Sequence, residues 1–278
     1  MQDWWLEERL AFAAGCRIIA GIDEAGRGAL AGPVVAACVV LPYEIELSGV
    51  DDSKKLTPEK RDELFDLVMQ SALGVGVGIV DAQLVDEINV LKATHVAMRL
   101  ALANLPPELK PDIALIDGLP VRPFPIPQNA LVKGDGRSIS IAAASIIAKV
   151  MRDRLMLAFD AEFPCYGFAS HKGYGVQKHL EAIIKQGPCA IHRLTFRPIN
   201  PAPRPVKKSL SNRGDSRNAV SLTPNLFEQP TSLLTSPSAK SPHHPNTPTS
   251  PPFLFQKIGR PRRVSRLSLS RRVGLESD

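Results

Sequence analysis

Short apolar runs alternate with longer amphipathic segments over the first 198 residues of the chain. Residues 17–23 and 34–41 are apolar, rich in β-branched side chains and bounded by glycine or proline, a pattern typical of buried strands. Three further strands are predicted on similar grounds, at 74–80, 113–116 and 130–132. Five strands therefore make up the predicted sheet.

The segments between and after these predicted strands show helical periodicity. Thr57-Pro58 predicts a helix start, because Thr is a good N-cap and Pro suits the first helical position. Residues 138–150 are apolar on nearly all sides, which predicts a buried helix. Other helices are predicted at 89–105 and 177–186. The residues expected to face the core are Leu64, Phe65, Val68 and Ala72 in the helix that starts at Thr57-Pro58, and Ala93, Val96, Ala97 and Leu100 in the helix at 89–105. Strands followed by strand–helix alternation predict an α/β domain, a mixed sheet flanked by helices.

The composition changes sharply near Pro198. Residues 199–278 hold 12 of the 25 prolines and 13 serines, and too few large apolar side chains to offset the entropy of ordering. The sequence therefore predicts a folded domain over 1–198 and a disordered tail over 199–278.

Charge is divided along the same boundary. The tail holds 13 of the 34 Lys and Arg residues but only 4 of the 28 Asp and Glu residues, a net charge of +9. The first 198 residues are left with 21 basic and 24 acidic side chains, a net charge of −3. The tail could attract polyanions or simply stay solvated, and nucleic-acid binding by the domain must depend on local patches.

The four cysteines are widely spaced and form no CxxC pair. This spacing argues against a zinc framework and favours reduced thiols that act as small hydrophobic residues. Uninterrupted apolar runs stay well short of the ~20 residues of a membrane helix, and the acidic N-terminus does not resemble a signal peptide. The expected location is the cytoplasm, without membrane contact.

Acidic residues follow three of the predicted strands. Asp23-Glu24, Asp117 and Asp135 each lie beside glycine where an apolar strand ends. Ligands of α/β sheets bind at strand ends, and clustered carboxylates repel one another unless a cation neutralises them. Oxygen donors without Cys or His favour Mg²⁺ or Mn²⁺. Any one of these acids alone could instead be an ordinary turn or cap residue.

The motifs around these acids resemble those of ribonuclease HII, the type 2 ribonuclease H family. The resemblance covers about residues 17–198, in the family's order, and its strings are GIDEAGRGALAGPVVAACVVLP (21–42), DSKKL (52–56), NVLKATHVAMRLAL (89–102), LIDG (115–118), KGDGRSISIAAASIIAKVMRD (133–153), YGFASHKGYG (166–175) and HRLTFRP (192–198). It implies an RNase H-like mixed sheet with a helical C-terminal part.

The resemblance also implies a catalytic mechanism. Asp23, Glu24, Asp117 and Asp135 match the family's catalytic acids, which hold two divalent ions, Mn²⁺ or Mg²⁺. The implied reaction is hydrolysis of the RNA strand of RNA–DNA hybrids and nicking 5′ of ribonucleotides in duplex DNA, with 5′-phosphate and 3′-hydroxyl products. No obligatory protein partner is expected, and the chain is expected to be a monomer.

Substrate contacts are implied in the same way. Gly26-Arg27-Gly28 matches the motif whose backbone contacts the ribose 2′-hydroxyl, although such a triplet alone is equally typical of a tight turn. Tyr174 matches the tyrosine that stacks on the following deoxyribose, and without the resemblance a core tyrosine would be the better interpretation. The family usually has Thr where this chain has Val176.

Five residues match basic positions of the family and could either contact substrate phosphates or carry solvated or salt-bridged charge: Lys54, Lys55, Lys149, Arg152 and Arg193. Lys149 and Arg152 would share a helix face and bracket one phosphate, or Lys149 could pair with Asp153 four residues on. Structural roles are expected for His171, His179 and His192.

Two other functions compete with this one. Ribonuclease HIII carries a long N-terminal substrate-binding domain, whereas here the catalytic motifs begin at residue 21. A non-catalytic nucleic-acid-binding protein would have no need of all four acids. Metal-dependent nicking by the purified protein distinguishes an enzyme from such a binding protein.

Overall fold

The computed structural model describes residues 3–47, 49 and 57–200. Within them the elements are α1 Leu6–Ala13, β1 Ile19–Ala25, β2 Val34–Val40, α2 Pro58–Ser71, β3 Gly74–Val80, α3 Ala82–Ile88, α4 Val90–Ala103, β4 Ile113–Asp117, β5 Gln128–Leu131, α5 Ile139–Glu162, α6 Phe168–His171 and α7 Gln177–Gln186. A short 3-10 turn, Gly134–Gly136, separates β5 from α5. The predicted α/β class is confirmed.

The five strands form one mixed sheet in the order β3-β2-β1-β4-β5. β1, β2 and β3 pair antiparallel, whereas β4 and β5 lie parallel to β1 on its other side. β1 is therefore central, and its carboxyl end lies beside that of β4. Its residues are almost wholly buried, as expected of a strand covered on both faces.

One face of the sheet is covered by α5, with α2 packed beside it. Residues 139–148 of α5 are all buried, which confirms the helix predicted from its nearly continuous apolar run. The contact with β1 is a close one. A β-carbon at Gly21 would lie 2.1 Å from the carbonyl carbon of Ser140, so only glycine lets α5 approach the sheet this closely.

The other face is covered by α4, and here too glycine permits close packing. β-carbons at Gly76 and Gly78 would lie within 2.1 Å of carbonyl oxygens on α4. The buried stripe of α4 is Ala93, Thr94, Ala97, Met98 and Ala101. The prediction that Leu100 faces the core is wrong. The contact of α4 with the sheet is made mainly by small residues, and the side chain of Leu100 points away from it and is 41% exposed.

Beyond residue 162 the chain adds the short helices α6 and α7, which confirms the predicted helical C-terminal part. Tyr166 and Phe168 are buried there with Ala31 and Met156 in a separate small core. This cluster joins the C-terminal segment to the loop between β1 and β2, which has consequences for the site.

Several element bounds differ from those predicted. α5 runs to Glu162 instead of residue 150, and β5 begins two residues earlier than predicted. α1 escaped prediction because it buries Glu7 and Glu8 while exposing Leu6 and Leu10, the reverse of the usual amphipathic pattern. α3 has only seven residues, too few for a clear period.

All four cysteines are free thiols, as predicted, although Cys165 is exposed instead of packed in the core. No helix in the described part of the chain could span a membrane. From residue 201 onward, the predicted disordered tail lies outside the described residues.

Candidate active site

The strand register brings three of the four predicted acids together. Ile22 of β1 lies opposite Ile116 of β4, so the residues that follow, Asp23 and Asp117, are neighbours at the carboxyl ends of two parallel strands. Asp23, Glu24 and Asp117 line one cleft at this edge of the sheet. The expectation that strand-end carboxylates would converge is met for these three residues.

The ionisation of Asp23 is strongly perturbed by its surroundings. Its side chain is buried, and burial together with the negative charges of Glu24 and Asp117 raises the pKa of Asp23 well above its usual value. The Ser145 hydroxyl and the Glu24 backbone amide, 2.6 Å from Asp23 Oδ1, donate hydrogen bonds that oppose this shift. The carboxylates are thus close enough to repel one another.

Asp135 occupies a different position. It is buried in the 3-10 turn after β5 and is absent from the residues that line the cleft. The turn is nevertheless tied to the site, because the Gly134 amide donates to Asp117 Oδ1 over 2.7 Å. The backbone reverses at Lys133, which adopts a left-handed conformation with φ of 56°.

The donor set suits a hard divalent cation by its chemistry. All four acids offer oxygen ligands, and a cation would offset both the burial and the repulsion that raise the pKa of Asp23. Across residues 3–47, 49 and 57–200, however, no group of three or more His, Cys, Asp or Glu side chains is already arranged to hold a metal ion. The ligand types fit, and side-chain rearrangement would have to complete the site.

The 26–33 loop, between β1 and β2, forms another wall of the cleft. Gly26 has φ of +92°, and a β-carbon there would lie 2.0 Å from Arg152 Nε, so both conformation and packing require glycine. At Gly28 a β-carbon would meet nothing within 4 Å, so the backbone is open toward the cleft. Arg27 reaches back to Glu24, with a 3.0 Å ion pair.

Two buried arginines hold this loop in place. Arg152 donates to the carbonyls of Pro33, Lys172 and Ala31 at 2.9–3.1 Å. Arg193 donates twice to Gly32 and once to Arg27 at 2.8–3.0 Å. Both side chains are fully buried, which lowers the pKa of each, that of Arg193 to about 10. The predicted direct phosphate contact of Arg152 and Arg193 is therefore corrected: their donors are used by backbone carbonyls, and they position the loop.

Lys149 and Tyr174 stand at the rim of the cleft. Tyr174 is 37% exposed and lines it, so it is not a core tyrosine. The Arg152 guanidinium lies 5.3 Å from the Tyr174 ring centroid and supports it from behind. Lys149 also lines the cleft and pairs with Asp153 over 2.7 Å, the alternative considered from the sequence. Lys54 and Lys55 lie outside the described residues.

The three histidines pack together behind Tyr174. His179 and His192 are buried with their Nε2 atoms 3.0 Å apart, and the His171 ring stacks on that of His179. The Cys189 amide donates to His192 Nδ1, so His192 Nε2–H donates to His179, whose Nδ1–H donates to the Tyr174 carbonyl. These contacts agree with the structural role expected of the histidines.

Ser145 is a site residue that the sequence reasoning missed. It lines the cleft, is almost fully buried and hydrogen-bonds Asp23. Its signal in the sequence was a hydroxyl in the middle of an otherwise apolar helical run. Ser145 lies four residues before Lys149, which places both side chains on the same face of the helix.

At Val176, the N-cap of α7, no side-chain cap hydrogen bond is formed.

Comparison with known proteins shows the family of this chain. A sequence model of ribonuclease HII matches residues 20–199. The chain belongs to the ribonuclease HII family. A ribonuclease HII from Geotalea daltonii is 62% identical over 182 residues, which cover 66% of this chain and 83% of the relative. Ribonuclease HII enzymes are endoribonucleases that act on RNA–DNA hybrids, so the chain is a nuclease of the hydrolase class.

Solved structures support the same fold. The ribonuclease H2 of Pyrococcus horikoshii OT3 is 27% identical, with a TM-score of 0.56 over 66% of this chain and 95% of that one. Bst-RNase HIII, solved in complex with Mn²⁺, is 19% identical, with a TM-score of 0.53 over 66% of this chain and 68% of that one, and shares the fold. The RNase H family depends on divalent metal ions.

Proposed function

We propose that the chain nicks duplex DNA on the 5′ side of embedded ribonucleotides, in addition to cutting the RNA strand of hybrids, with two divalent cations at the acidic cleft. One observation carries the proposal: Asp23, Glu24 and Asp117 share a single cleft with Gly26-Arg27-Gly28 and Tyr174. Acids that could hold cations thus face the groups that could recognise a sugar.

The four acids would hold the cations. Bound Mn²⁺ or Mg²⁺ would activate the attacking water and stabilise the leaving 3′ oxygen, giving 5′-phosphate and 3′-hydroxyl ends. Ser145 keeps Asp23 oriented, and Glu24 is oriented by its ion pair with Arg27. Asp135 would join the other acids by a small movement of the turn that Gly134 ties to Asp117.

Sugar recognition would come from the 26–33 loop and Tyr174. The backbone at Gly28 is open, so it can approach a ribose and hydrogen-bond the 2′-hydroxyl, the group that distinguishes RNA from DNA. The exposed face of Tyr174 is available to stack on the next sugar, where a deoxyribose has no 2′-hydroxyl in the way. Lys149, at the rim, supplies positive charge toward the backbone phosphates.

The test uses three labelled duplexes of one sequence: all DNA, DNA with one ribonucleotide, and an RNA–DNA hybrid. With Mn²⁺ or Mg²⁺ the protein should cut the second on the 5′ side of the ribonucleotide, cut the third along its RNA, and spare the first. Asp23→Asn and Asp135→Asn should each lower the rate about 100-fold or more, because each removes a charged ligand.

Asp66→Asn is the matched control, since Asp66 is exposed on α2 and away from the cleft. Without metal, Asp23→Asn should also melt at higher temperature, because the repulsion at Asp23 is relieved. Near-normal turnover of either acid variant at saturating metal would remove that residue from the catalytic set. Cutting of the all-DNA duplex at a similar rate would refute the proposed specificity. Cytoplasmic location and a monomeric state stay predictions.

A further inference from the structure

The N-terminal helix α1 and the residue Trp4 before it hold the chain directly after Asp135. The Trp4 carbonyl accepts from the Ile139 amide over 2.9 Å, and Arg137 pairs with Glu7 over 2.5 Å. Beneath these contacts, apolar residues of α1, β1, β4, β5 and α5 pack in one small core. The match to the family model begins at residue 20, so α1 lies outside it.

Glu8 is the buried centre of this contact, with 1% of its surface exposed. Its Oε1 accepts from the Ser138 hydroxyl over 2.6 Å and from the Ser140 amide over 3.0 Å. Its Oε2 is buried without a hydrogen-bond partner among the described residues. Burial of a carboxylate is costly, but the first turn of a helix partly compensates it through unpaired amides and a positive dipole end.

Hydrogen bonds lead from Glu8 to the acidic cleft. Ser138, held by Glu8, donates its amide to the Gly134 carbonyl over 2.9 Å, and the Gly134 amide donates to Asp117 Oδ1. Ser140, also held by Glu8, packs on Gly21, two residues before Asp23. One carboxylate therefore fixes both the Asp135 turn and the contact between α5 and β1.

We infer that Glu8 is a positioning residue for the acidic site: through Ser138 and Ser140 it sets the place of the Asp135 turn relative to Asp117 and Asp23, and so the affinity of the site for divalent cations. The inference depends on the proposed role of Asp135. Outer residues that orient metal ligands typically contribute 10- to 100-fold to metal affinity.

The experiment measures Mn²⁺ binding to the full-length chain by electron paramagnetic resonance, below the melting temperature of each variant. Glu8→Ala should weaken binding about 10-fold or more, because it removes the acceptor for both serines. Glu8→Gln retains an oxygen acceptor and should stay within about 3-fold of the wild type. Glu8→Asp keeps the charge but shortens the reach, and should weaken binding by about 3- to 10-fold.

Asp112→Ala is the matched control. Asp112 Oδ2 accepts from the Arg17 and Ile18 amides over 2.7 and 2.9 Å, a similar carboxylate contact at the opposite end of β1. Its removal should lower the melting temperature and leave Mn²⁺ affinity unchanged. In assays, Glu8→Ala and Glu8→Asp should need more Mn²⁺ for half-maximal rate yet regain most of the rate at saturation.

The outcomes separate the inference from the proposed function. Wild-type Mn²⁺ affinity in folded Glu8→Ala, or in Glu8→Asp should the alanine variant not fold, overturns the positioning role. An equal loss of affinity in Asp112→Ala overturns it as well, because general loosening would then suffice. If instead Asp135→Asn binds Mn²⁺ like the wild type, the proposed ligand role of Asp135 fails, whatever Glu8 does.

Discussion

At the residue scale, the two glycines of Gly26-Arg27-Gly28 have different surroundings. Gly26 is enclosed by Arg152 and Pro33 and has a positive φ, whereas Gly28 borders open space beside the cleft. The first glycine is required for the conformation of the loop, and the second leaves the backbone of the loop accessible from the cleft. Sequence spacing alone gives the two positions equal weight, and only their neighbours distinguish them.

Substitution of the two glycines should separate these roles. Gly26→Ala should lower the free energy of unfolding by about 1–3 kcal/mol, because alanine disfavours this φ and its β-carbon meets Arg152. Gly28→Ala should change stability by less than about 1 kcal/mol and reduce kcat/KM on the ribonucleotide duplex, because its β-carbon enters the cleft. Urea unfolding and steady-state kinetics measure both quantities. Equal stability losses would contradict the assignment.

Tyr174 should discriminate between substrates. Tyr174→Ala should slow cleavage at a single ribonucleotide by roughly 10- to 100-fold, as expected when a stacking interaction of ~1–3 kcal/mol is removed, and slow cleavage of a long hybrid less. Only the first substrate places a deoxyribose after the cut ribonucleotide. Tyr174→Phe keeps the ring and is the control. Equal losses on both substrates would rule out reading of the junction by Tyr174.

Residue chemistry could be predicted from the sequence, but residue orientation could not. Three strand-end acids lie together as predicted, because a parallel register brings strand ends together. Arg152 and Arg193 look like phosphate ligands in the sequence, yet the carbonyls that take their hydrogen bonds are more than 100 residues away for all but one bond of Arg152. Such distant partners leave no mark on local spacing.

At the scale of elements, local signals defined some segments fully. Gly74–Val80 and Gln177–Gln186 have the bounds that were predicted. α5 extends twelve residues past its predicted end, because its later turns are only partly buried and are no longer apolar on all sides. α1 was hidden because its buried face carries Glu7 and Glu8.

The histidine pair behind Tyr174 should make stability fall in acid. Burial lowers the pKa of His192 to about 4, with the neighbouring His179 contributing, and burial also lowers that of His179. Unfolded histidines titrate near 6.5, so between pH 6.5 and 4 these two residues bind more protons in the unfolded chain than in the folded one. Their contribution to the free energy of unfolding should therefore decrease as the pH falls through this window, with His192 accounting for up to about 3 kcal/mol at pH 4.

Thermal unfolding across pH 4–8 checks this dependence. His192→Asn keeps an acceptor near the Nδ1 position and removes the titrating group, so the decrease below pH 6.5 should become shallower. An identical slope in the variant would show that other groups cause the acid loss. Above about pH 7.5 both histidines are almost wholly neutral in either state, so they add little further pH dependence there.

At the scale of the whole molecule, charge and chemistry occupy different parts of the chain. The acidic cleft lies in the segment of net charge −3, whereas residues 199–278 carry +9. A polyanionic substrate would be attracted mainly by the basic segment, whatever its conformation, while cleavage would take place at the cleft.

Truncation after Pro201 tests this division. At high salt, cleavage of a short duplex should remain close to that of the full chain. At low salt the truncated chain should bind more weakly, and its log–log dependence of affinity on salt should be shallower by about 0.9 for each phosphate that the removed segment binds. Fluorescence anisotropy over a salt series measures this slope. An unchanged slope would show that residues 202–278 bind no phosphate.

The hydrogen bonds by which Arg193 holds the 26–33 loop can form only late in protein synthesis. Arg193 donates to the Arg27 carbonyl across 166 positions of sequence, so the ribosome makes the loop long before its last support. At roughly 5–20 residues per second, that interval lasts about 8–33 s. A nascent chain of 192 residues already contains all four acids, yet its 26–33 loop still lacks the Arg193 contacts. The part of the cleft proposed to distinguish ribose from deoxyribose would therefore be the last to become rigid.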